Sequence, residues 1–556
     1  MTGTATEDLN AARAGALLDR LRAHGVRDLC LAPGSRSAPL ALSAAHRAEQ
    51  GLDVAVHSHY DERGLAFYAL GLIRAHGRPV AVITTSGTAV ANLHPAVAEA
   101  WQSHLPLIAV SADRPPELHA CGANQAIPQE GIFGPHVRAE LALPVPEARL
   151  GGAWLAGRLD RALGAATAAT DAGPVHINAP FREPLYGGQE PAEAPPRPSP
   201  PVRSSAPPAP GLPAPEPPLL FVAGQLEADE AEAVLAAAEA GGVPILADLG
   251  SQLRLRAHPC VVDSPELLLA SPAGRAACAG ARQVIQFGGR LTGRRLPAWL
   301  AEHAPRRWLV SRHSGYLDPD WQASAVQADI PALCRSLPLA PQAALPGLAE
   351  AVAAVRERRR AAAAEAFAEP AAAAHLSRLL PAGMTLFAGN SLPIRALDLF
   401  AEPGGGNPCL TQRGASGIDG LLATAAGHAT ACPTTLVLGD LAALHDLNSL
   451  ALLAAAAQPC IAVVLNNDGG GIFDLLPARQ EGDAYRRLFR TPHGLGFADT
   501  AAQFGVPYRR CTDAAELASA YTEAVARGGG SIIEAACPPG RGSGQIAALF
   551  QALEAG

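Results

Sequence analysis
The chain has 556 residues, 49% hydrophobic and 17% charged, with a formal net charge of -8. That length suggests about three ordinary domains with ample core, and the negative balance argues against a nucleic-acid binder working by global electrostatics. All 43 Lys+Arg residues are arginine, which excludes P-loop nucleotide chemistry and a pyridoxal-phosphate Schiff base, both of which need a lysine.

Short β-type runs alternate with helical stretches in three sets. RDLCLA, DVAVHS, PVAVITT, PLIAVS and PVHINAP form the first, over residues 1–190. The proline-rich stretch 191–218 reads as an extended linker. PLLFVAG, VPILADL, RQVIQFGG and RRWLVS form the second set, over 219–345. An Ala/Arg/Glu-rich stretch from about Leu348 to Leu379 reads as helix and leads into TLFAGN, TTLVLGD, CIAVVLNN and SIIEAA, over 346–556. Such alternation implies three α/β domains, each a mostly parallel sheet wrapped by helices. Ligands then bind beyond the carboxyl ends of the strands, so the residues after each strand matter most.

No apolar run reaches the ~18–20 residues of a membrane span. The opening MTGTATEDLNAARAG lacks a secretory pattern, so the expectation is a cytoplasmic protein. The ten cysteines contain no C-x-x-C and read mainly as small buried hydrophobes.

In the first set, HSHYDERGLAFYALG places Glu62 between a strand and a helix beginning near Leu65. A glutamate at a helix N-terminus is also stabilised by the dipole and needs no other reason to be there. His57-x-His59-x-Asp61 resembles the start of a metallo-hydrolase cluster, but Glu62 stands where a further His would continue it. No role attaches to His57, His59 or His445.

Several arginines follow strands or sit in Gly/Ser-rich loops: Arg36, Arg114, Arg395, Arg413 and the pair Arg294-Arg295. Each guanidinium has the fork geometry to clamp a carboxylate, and several together would select polycarboxylates. Ordinary ion pairing accounts equally well for any one of them.

In the third set, Asp440 follows one strand and Asn466-Asn467 end the next, with a helix over roughly Leu447 to Ala456 between them. A right-handed β-α-β crossover puts both strand ends on one sheet edge. Asp440, the Asn467 amide oxygen and a backbone carbonyl near Gly469 are hard oxygen donors, a magnesium-type set completed by phosphate and water. The glycines permit close backbone approach to a ligand, and Ile472 and Phe473 add an apolar surface. The implied ligand has a diphosphate end and an apolar, ring-bearing end. The bland alternative is that Asn-Asn-Asp-Gly is a turn.

GD followed by NN after one β-α-β unit resembles the metal-binding motif of thiamine diphosphate-dependent enzymes, although Leu441 replaces the usual second glycine. The series APGSRSAPL, HYDERGLAFYALG, TTSGTAVANLHPAV, SADRPPEL, CGANQAI, NSLPIR, QRGASGIDG and GDLAALHDLN is similar to the carboligases of menaquinone biosynthesis within that superfamily. The resemblance implies thiamine diphosphate and Mg2+ (or Mn2+) as cofactors and 2-oxoglutarate and isochorismate as substrates. It also implies a homo-oligomer, dimer or tetramer, with sites shared between subunits. Glu62 would activate the cofactor by hydrogen-bonding its aminopyrimidine ring, with a pKa raised by apolar burial. Asp440, Asn467 and Gly469 would hold the metal, while Ile418, Ile472 and Phe473 would line the cofactor. Ser35, Arg36, Arg114, Asn124, Gln125, Arg294, Arg295, Ser391, Arg395 and Arg413 would contact substrate, Ser391 touching the cofactor as well.

Overall fold
The computed structural model describes residues 5–150, 152–189, 213–303, 306–315 and 317–556. Among them are three six-stranded sheets in which every strand pairing is parallel. The first contains β1 (Asp28–Leu31), β2 (Ala55–Ser58), β3 (Val80–Thr84), β4 (Leu107–Asp113), β5 (Ala139–Ala142) and β6 (Val175–Pro180). The second contains β7 (Leu219–Ala223), β8 (Ile245–Ala247), β9 (Val261–Val262), β10 (Gln283–Phe287), β11 (Arg307–Ser311) and β12 (Ser324–Gln327). The third contains β13 (Thr385–Ala388), β14 (Cys409–Thr411), β15 (Thr434–Gly439), β16 (Cys460–Asn466), β17 (Tyr508–Cys511) and β18 (Gly530–Ala536).

The first and third sheets share one strand order, β2-β1-β3-β4-β6-β5 and β14-β13-β15-β16-β18-β17. The second runs β12-β11-β10-β7-β8-β9. Apolar runs such as VAVIT and LLFVA are buried at every position, as strands covered on both faces must be. This is the α/β architecture that the alternating pattern implies.

Three local expectations need correction. The helix after β2 starts at Glu62, not near Leu65, because Asp61 caps it by accepting N–H bonds from Arg63 (3.0 Å) and Gly64 (3.3 Å). The stretch 348–379 is two helices, Leu348–Ala364 and Glu369–Leu379, because Pro370 fits a helix's first turn but not its interior. Between β15 and β16 a helix opens at Asp440 itself and runs to His445, and a second spans Leu450–Ala454. Of the linker reading, 191–212 lies outside the described residues.

By contact density the chain forms two units. One is 1–205 with 413–431 and 446–456; the other is 206–412, 432–445 and 457–556. In the first unit, helix Leu421–His428 lies against helix Glu62–His76. A Cβ on Gly71 would stand 2.2 Å from the Thr424 carbonyl oxygen, and one on Gly427 2.1 Å from that of Tyr68. Only glycine allows two helix backbones this close.

Asp446 fixes the start of helix Leu421–His428. Its Oδ2 accepts N–H bonds from Leu422 (2.8 Å) and Ala423 (3.2 Å), and its Oδ1 accepts from the Ser449 hydroxyl (2.7 Å). Burial pushes the carboxyl up to about 6 despite these bonds. The folded state thus favours the protonated form, so this stability is full below about pH 4 and lost as pH rises through 6. Asp446→Asn removes the titration. Urea unfolding across pH 4 to 7 should show wild type losing on the order of 3 kcal/mol relative to Asp446→Asn, with no further divergence above pH 7.

Candidate active site
In the first unit, Arg36 follows β1, the loop Ser86-Gly87 follows β3 and Arg114 follows β4. These strands are adjacent in the sheet, so their carboxyl ends meet. Arg36 is buried and donates to the Phe181 carbonyl (2.8 Å) and to Glu183 Oε1 (3.0 Å). Arg114 donates to the Ser86 hydroxyl, while the Gln125 amide donates to the Ser86 carbonyl (2.9 Å). Burial, and then the charge of Arg36, lower the pKa of Arg114 from its ordinary value. Two guanidinium groups held this near one another favour an anion between or beside them. Gln125 takes a left-handed backbone (φ 58°), which costs energy for any residue with a Cβ and is common at functional sites. Ser35 and Asn124 are exposed on the same loops.

Glu62 is half-buried at the start of the helix after edge strand β2, and its Oε2 is 3.5 Å from the Asn92 amide nitrogen. Its own unit does not enclose it in the apolar surroundings expected from the sequence. His57 is bonded to Asp28 (2.9 Å) and lies 3.3 Å from the Tyr68 hydroxyl; His59 is buried, which lowers its pKa. His445 is exposed.

Arg413 and Ile418 lie on a loop of the same unit. Glu99, buried in helix His94–Gln102, pins it by accepting the N–H of Gly414 (3.0 Å) and of Ala415 (2.6 Å).

In the second unit, Asp440 and Asn467 meet at the adjacent ends of β15 and β16. Asp440 Oδ2 accepts the backbone N–H of Asn467 (3.2 Å) and of Gly469 (2.8 Å). Three residues that carry carboxylate, amide and backbone carbonyl oxygens thus meet at one strand edge, and oxygens of these kinds suit a divalent cation. The Asn467 amide is held from two directions: Nδ2 donates to Glu369 Oε1 (2.5 Å), and Oδ1 accepts from Arg490 Nη1 (3.2 Å). Arg490 Nη2 donates to the Asn467 carbonyl (2.5 Å). His493 Nε2 lies 3.2 Å from Asp440 Oδ2, without hydrogen-bond geometry. Burial pushes the Glu369 carboxyl up, while its bond from Asn467 pulls it down.

The glycines here answer first to the protein itself. A Cβ on Gly469 would stand 2.0 Å from the Arg490 carbonyl oxygen, and one on Gly470 2.5 Å from that of Phe489. Gly469 also has φ +117°. Phe473 meets Phe489 edge to face, ring centroids 5.5 Å apart.

Ile472 instead lines a pocket of about 170 Å³ with Arg294, Arg295 and Arg395. Glu266 shapes its wall by accepting the N–H groups of Arg294 (3.1 Å), Arg295 (3.0 Å) and Leu296 (2.8 Å). A Cβ on Gly293 would fall 1.9 Å from the Glu266 carboxyl carbon. Arg295 pairs with Glu554 (2.6 Å) and stacks over Phe550. Asp398 shares the wall, its pKa raised well above the ordinary value by burial and then by Asp248. Ser391, before helix Leu392–Phe400, has φ 71°, and its carbonyl accepts from Arg395 (2.7 Å).

The structure thus joins Arg36, Arg114 and Gln125 in one corner, Asp440, Asn467 and Gly469 in a second, and Arg294, Arg295, Arg395 and Ile472 in a third. The sequence reading missed Glu99, Glu266, Glu369, Asp398 and Arg490. The four acids sit in helices, away from the strand ends where it looked.

Three family profiles match the chain: "Thiamine pyrophosphate enzyme, N-terminal TPP binding domain" over 13–132, "Middle domain of thiamine pyrophosphate" over 220–388, and "Thiamine pyrophosphate enzyme, C-terminal TPP binding domain" over 405–535. The chain is 67% identical to a 2-succinyl-5-enolpyruvyl-6-hydroxy-3-cyclohexene-1-carboxylate synthase of Halorhodospira halophila, covering 99% of this chain and 100% of the relative. Synthases of the same name from Cronobacter sakazakii (99% of each chain) and Shewanella frigidimarina (98% of each) are 42% and 38% identical.

The Glu99 pin generates a test. Two N–H bonds to one buried carboxylate contribute roughly 1.5–3 kcal/mol each. Glu99→Ala should speed amide exchange at Gly414 and Ala415 by on the order of 10- to 100-fold in hydrogen-exchange mass spectrometry, with β3 and β4 unchanged.

Proposed function
The chain belongs to the thiamine pyrophosphate enzyme family, and from its kinship with the 2-succinyl-5-enolpyruvyl-6-hydroxy-3-cyclohexene-1-carboxylate synthases we propose that it catalyses their reaction. 2-Oxoglutarate loses carbon dioxide, and the remaining succinyl unit adds in 1,4 fashion to isochorismate, in menaquinone biosynthesis. The observation that carries this reading is the convergence of Asp440, Asn467 and Gly469 on one strand edge in a chain matched along its whole length.

Bound thiamine diphosphate supplies the electron sink for decarboxylation and carbon–carbon bond formation. Asp440, Asn467 and the Gly469 carbonyl would hold Mg2+ or Mn2+ against its diphosphate. Glu62 would hold a proton at its carboxyl against the cofactor's pyrimidine ring nitrogen. Ser391, Ile418, Ile472 and Phe473 would confine the cofactor. Arg36 and Arg114, with Ser35, Asn124 and Gln125, would receive carboxylate groups of the substrates; Arg294, Arg295, Arg395 and Arg413 would do the same from the other loops. Both substrates are dicarboxylates, and a chain without lysine meets them with forked, permanently charged guanidinium groups.

Glu62 opens the helix that follows edge strand β2, with Val56 and Tyr60 exposed nearby, which supports a homo-oligomer, dimer or tetramer, whose sites draw on more than one subunit. Among the described residues no helix is long and apolar enough to cross a membrane. All ten cysteines are unpaired, which fits the reducing cytoplasm we propose as its compartment.

Assayed with 2-oxoglutarate, isochorismate, thiamine diphosphate and Mg2+, the wild type should form the condensation product. Glu62→Gln should lose on the order of 10²- to 10⁴-fold in kcat. Full activity of Glu62→Gln, or turnover of pyruvate with no use of isochorismate, would overturn the reading. Arg114→Ala should raise KM for a dicarboxylate by roughly 10- to 100-fold, the loss of one charge-assisted bond. Mixing inactive Glu62→Gln and Asp440→Ala proteins should restore up to roughly a quarter of wild-type activity if sites are shared between subunits of a dimer. No recovery after verified subunit exchange would place each site within one chain.

A further inference from the structure
Glu369 is a buried carboxylate that the reaction above does not use. It opens helix Glu369–Leu379, is 2% exposed, and its Oε1 accepts the Asn467 Nδ2–H bond (2.5 Å). Its Oε2 has no hydrogen-bond partner. The start of helix Arg541–Glu554 closes over it: a Cβ on Gly542 would stand 1.9 Å from that oxygen. Leaving a carboxylate oxygen buried and unpaired costs stability, and a hydrophobic residue of similar volume would avoid that cost.

The geometry of Asn467 supplies the reason. A primary amide is nearly symmetric in shape, and the same pocket accepts it in two orientations that exchange oxygen for nitrogen. Only one orientation offers an oxygen to a cation. Glu369 offers Asn467 an acceptor, so Nδ2 turns toward it and Oδ1 turns away. The group now facing Oδ1 is the Arg490 guanidinium at 3.2 Å, a positive charge. The flipped amide would point its N–H groups at that charge and leave Glu369 facing an oxygen, so both contacts would turn repulsive.

We propose that Glu369 is a positioning residue for the metal: it locks the Asn467 amide with Oδ1 toward the divalent cation and adds negative charge behind that ligand. The inference rests on the reading of Asn467 as a metal ligand. Groups that orient a ligand from behind typically alter metal affinity by ~10- to 100-fold when removed. Glu369 touches neither substrate nor reacting atoms, so its effect belongs in metal affinity and not in the rate of the loaded enzyme.

The test measures Mn2+ binding to the full-length protein by electron paramagnetic resonance with saturating thiamine diphosphate, alongside activity across a Mn2+ titration. Glu369→Gln keeps the shape but accepts Asn467 in either orientation, and Glu369→Ala removes the acceptor. Both should bind Mn2+ about 10- to 100-fold more weakly. At saturating metal kcat should stay within about threefold of wild type, and Glu369→Asp should recover part of the affinity. Unchanged Mn2+ affinity in a folded Glu369→Ala, or lost kcat at saturating metal with unchanged affinity, overturns the proposal. If the variants do not fold, a crystal structure of wild type with Mn2+ and thiamine diphosphate decides. Asn467 lying between the metal and Glu369 supports the proposal; a Glu369 carboxylate out of hydrogen-bond range of Asn467 overturns it. Asn467→Ala separates the two readings. If it binds Mn2+ like wild type, the metal site itself is wrong, and this inference with it. If it loses Mn2+ while the Glu369 variants keep it, only this inference fails.

Discussion
One carboxylate organises the end of the third sheet. Asp440 Oδ2 accepts two backbone N–H groups from the loop after the neighbouring strand, at Asn467 and Gly469. Those bonds join the carboxyl ends of β15 and β16, which the parallel β-α-β connection has already brought to one edge. The charge that would ligate a metal therefore also shapes the loop bearing the other two ligands. Such a loop is preorganised before any cation arrives, and less ordering cost falls on binding.

The strand order makes the same economy available in the first unit. Sheets one and three share an order in which the first strand lies between the second and the third. In both, the informative loops follow strands at this reversal and the strand next to it: Arg36, Ser86 and Arg114 in one, Ser391, Asp440 and Asn467 in the other. A crevice at such a reversal is where open parallel sheets bind ligands. The second sheet, ordered differently, holds its TGRR loop in place through the buried Glu266.

The strong apolar runs were legible because central parallel strands are buried on both faces. Five strands escaped notice: β5, β9, β12, β14 and β17, and every one is at a sheet edge. Edge strands are short and half-covered, so TYR-ARG-ARG-CYS at 508–511 carries no apolar pattern to read. The site divided along a similar line. Glycines and arginines at strand ends were visible as types in a position. Glu99, Glu266 and Glu369 were not, because a helical glutamate looks like surface until tertiary packing buries it. The Gly469 cradle was legible as glycines, but one of their roles was not. Its glycines admit the 489–491 backbone, an approach that no local pattern encodes.

Arg490 shows why guanidinium serves where a lysine would not. It donates through Nη1 to the Asn467 side-chain oxygen and through Nη2 to the same residue's carbonyl, a two-pronged hold on one residue. An ammonium is a compact point charge without that planar fork. Arg490 also brings positive charge to the acids around it: it lies 3.9 Å from Asp474 and lowers the pKa of buried Glu369 against the upward push of burial. Its backbone carbonyl also accepts the N–H of Gly470 (2.7 Å). One residue thereby ties the segment after Tyr485 to the 467–470 loop by both its main chain and its charge. Replacing it with lysine would keep the charge and forfeit the geometry, so the arginine here follows from the shape of the contact as well as from the composition of the chain.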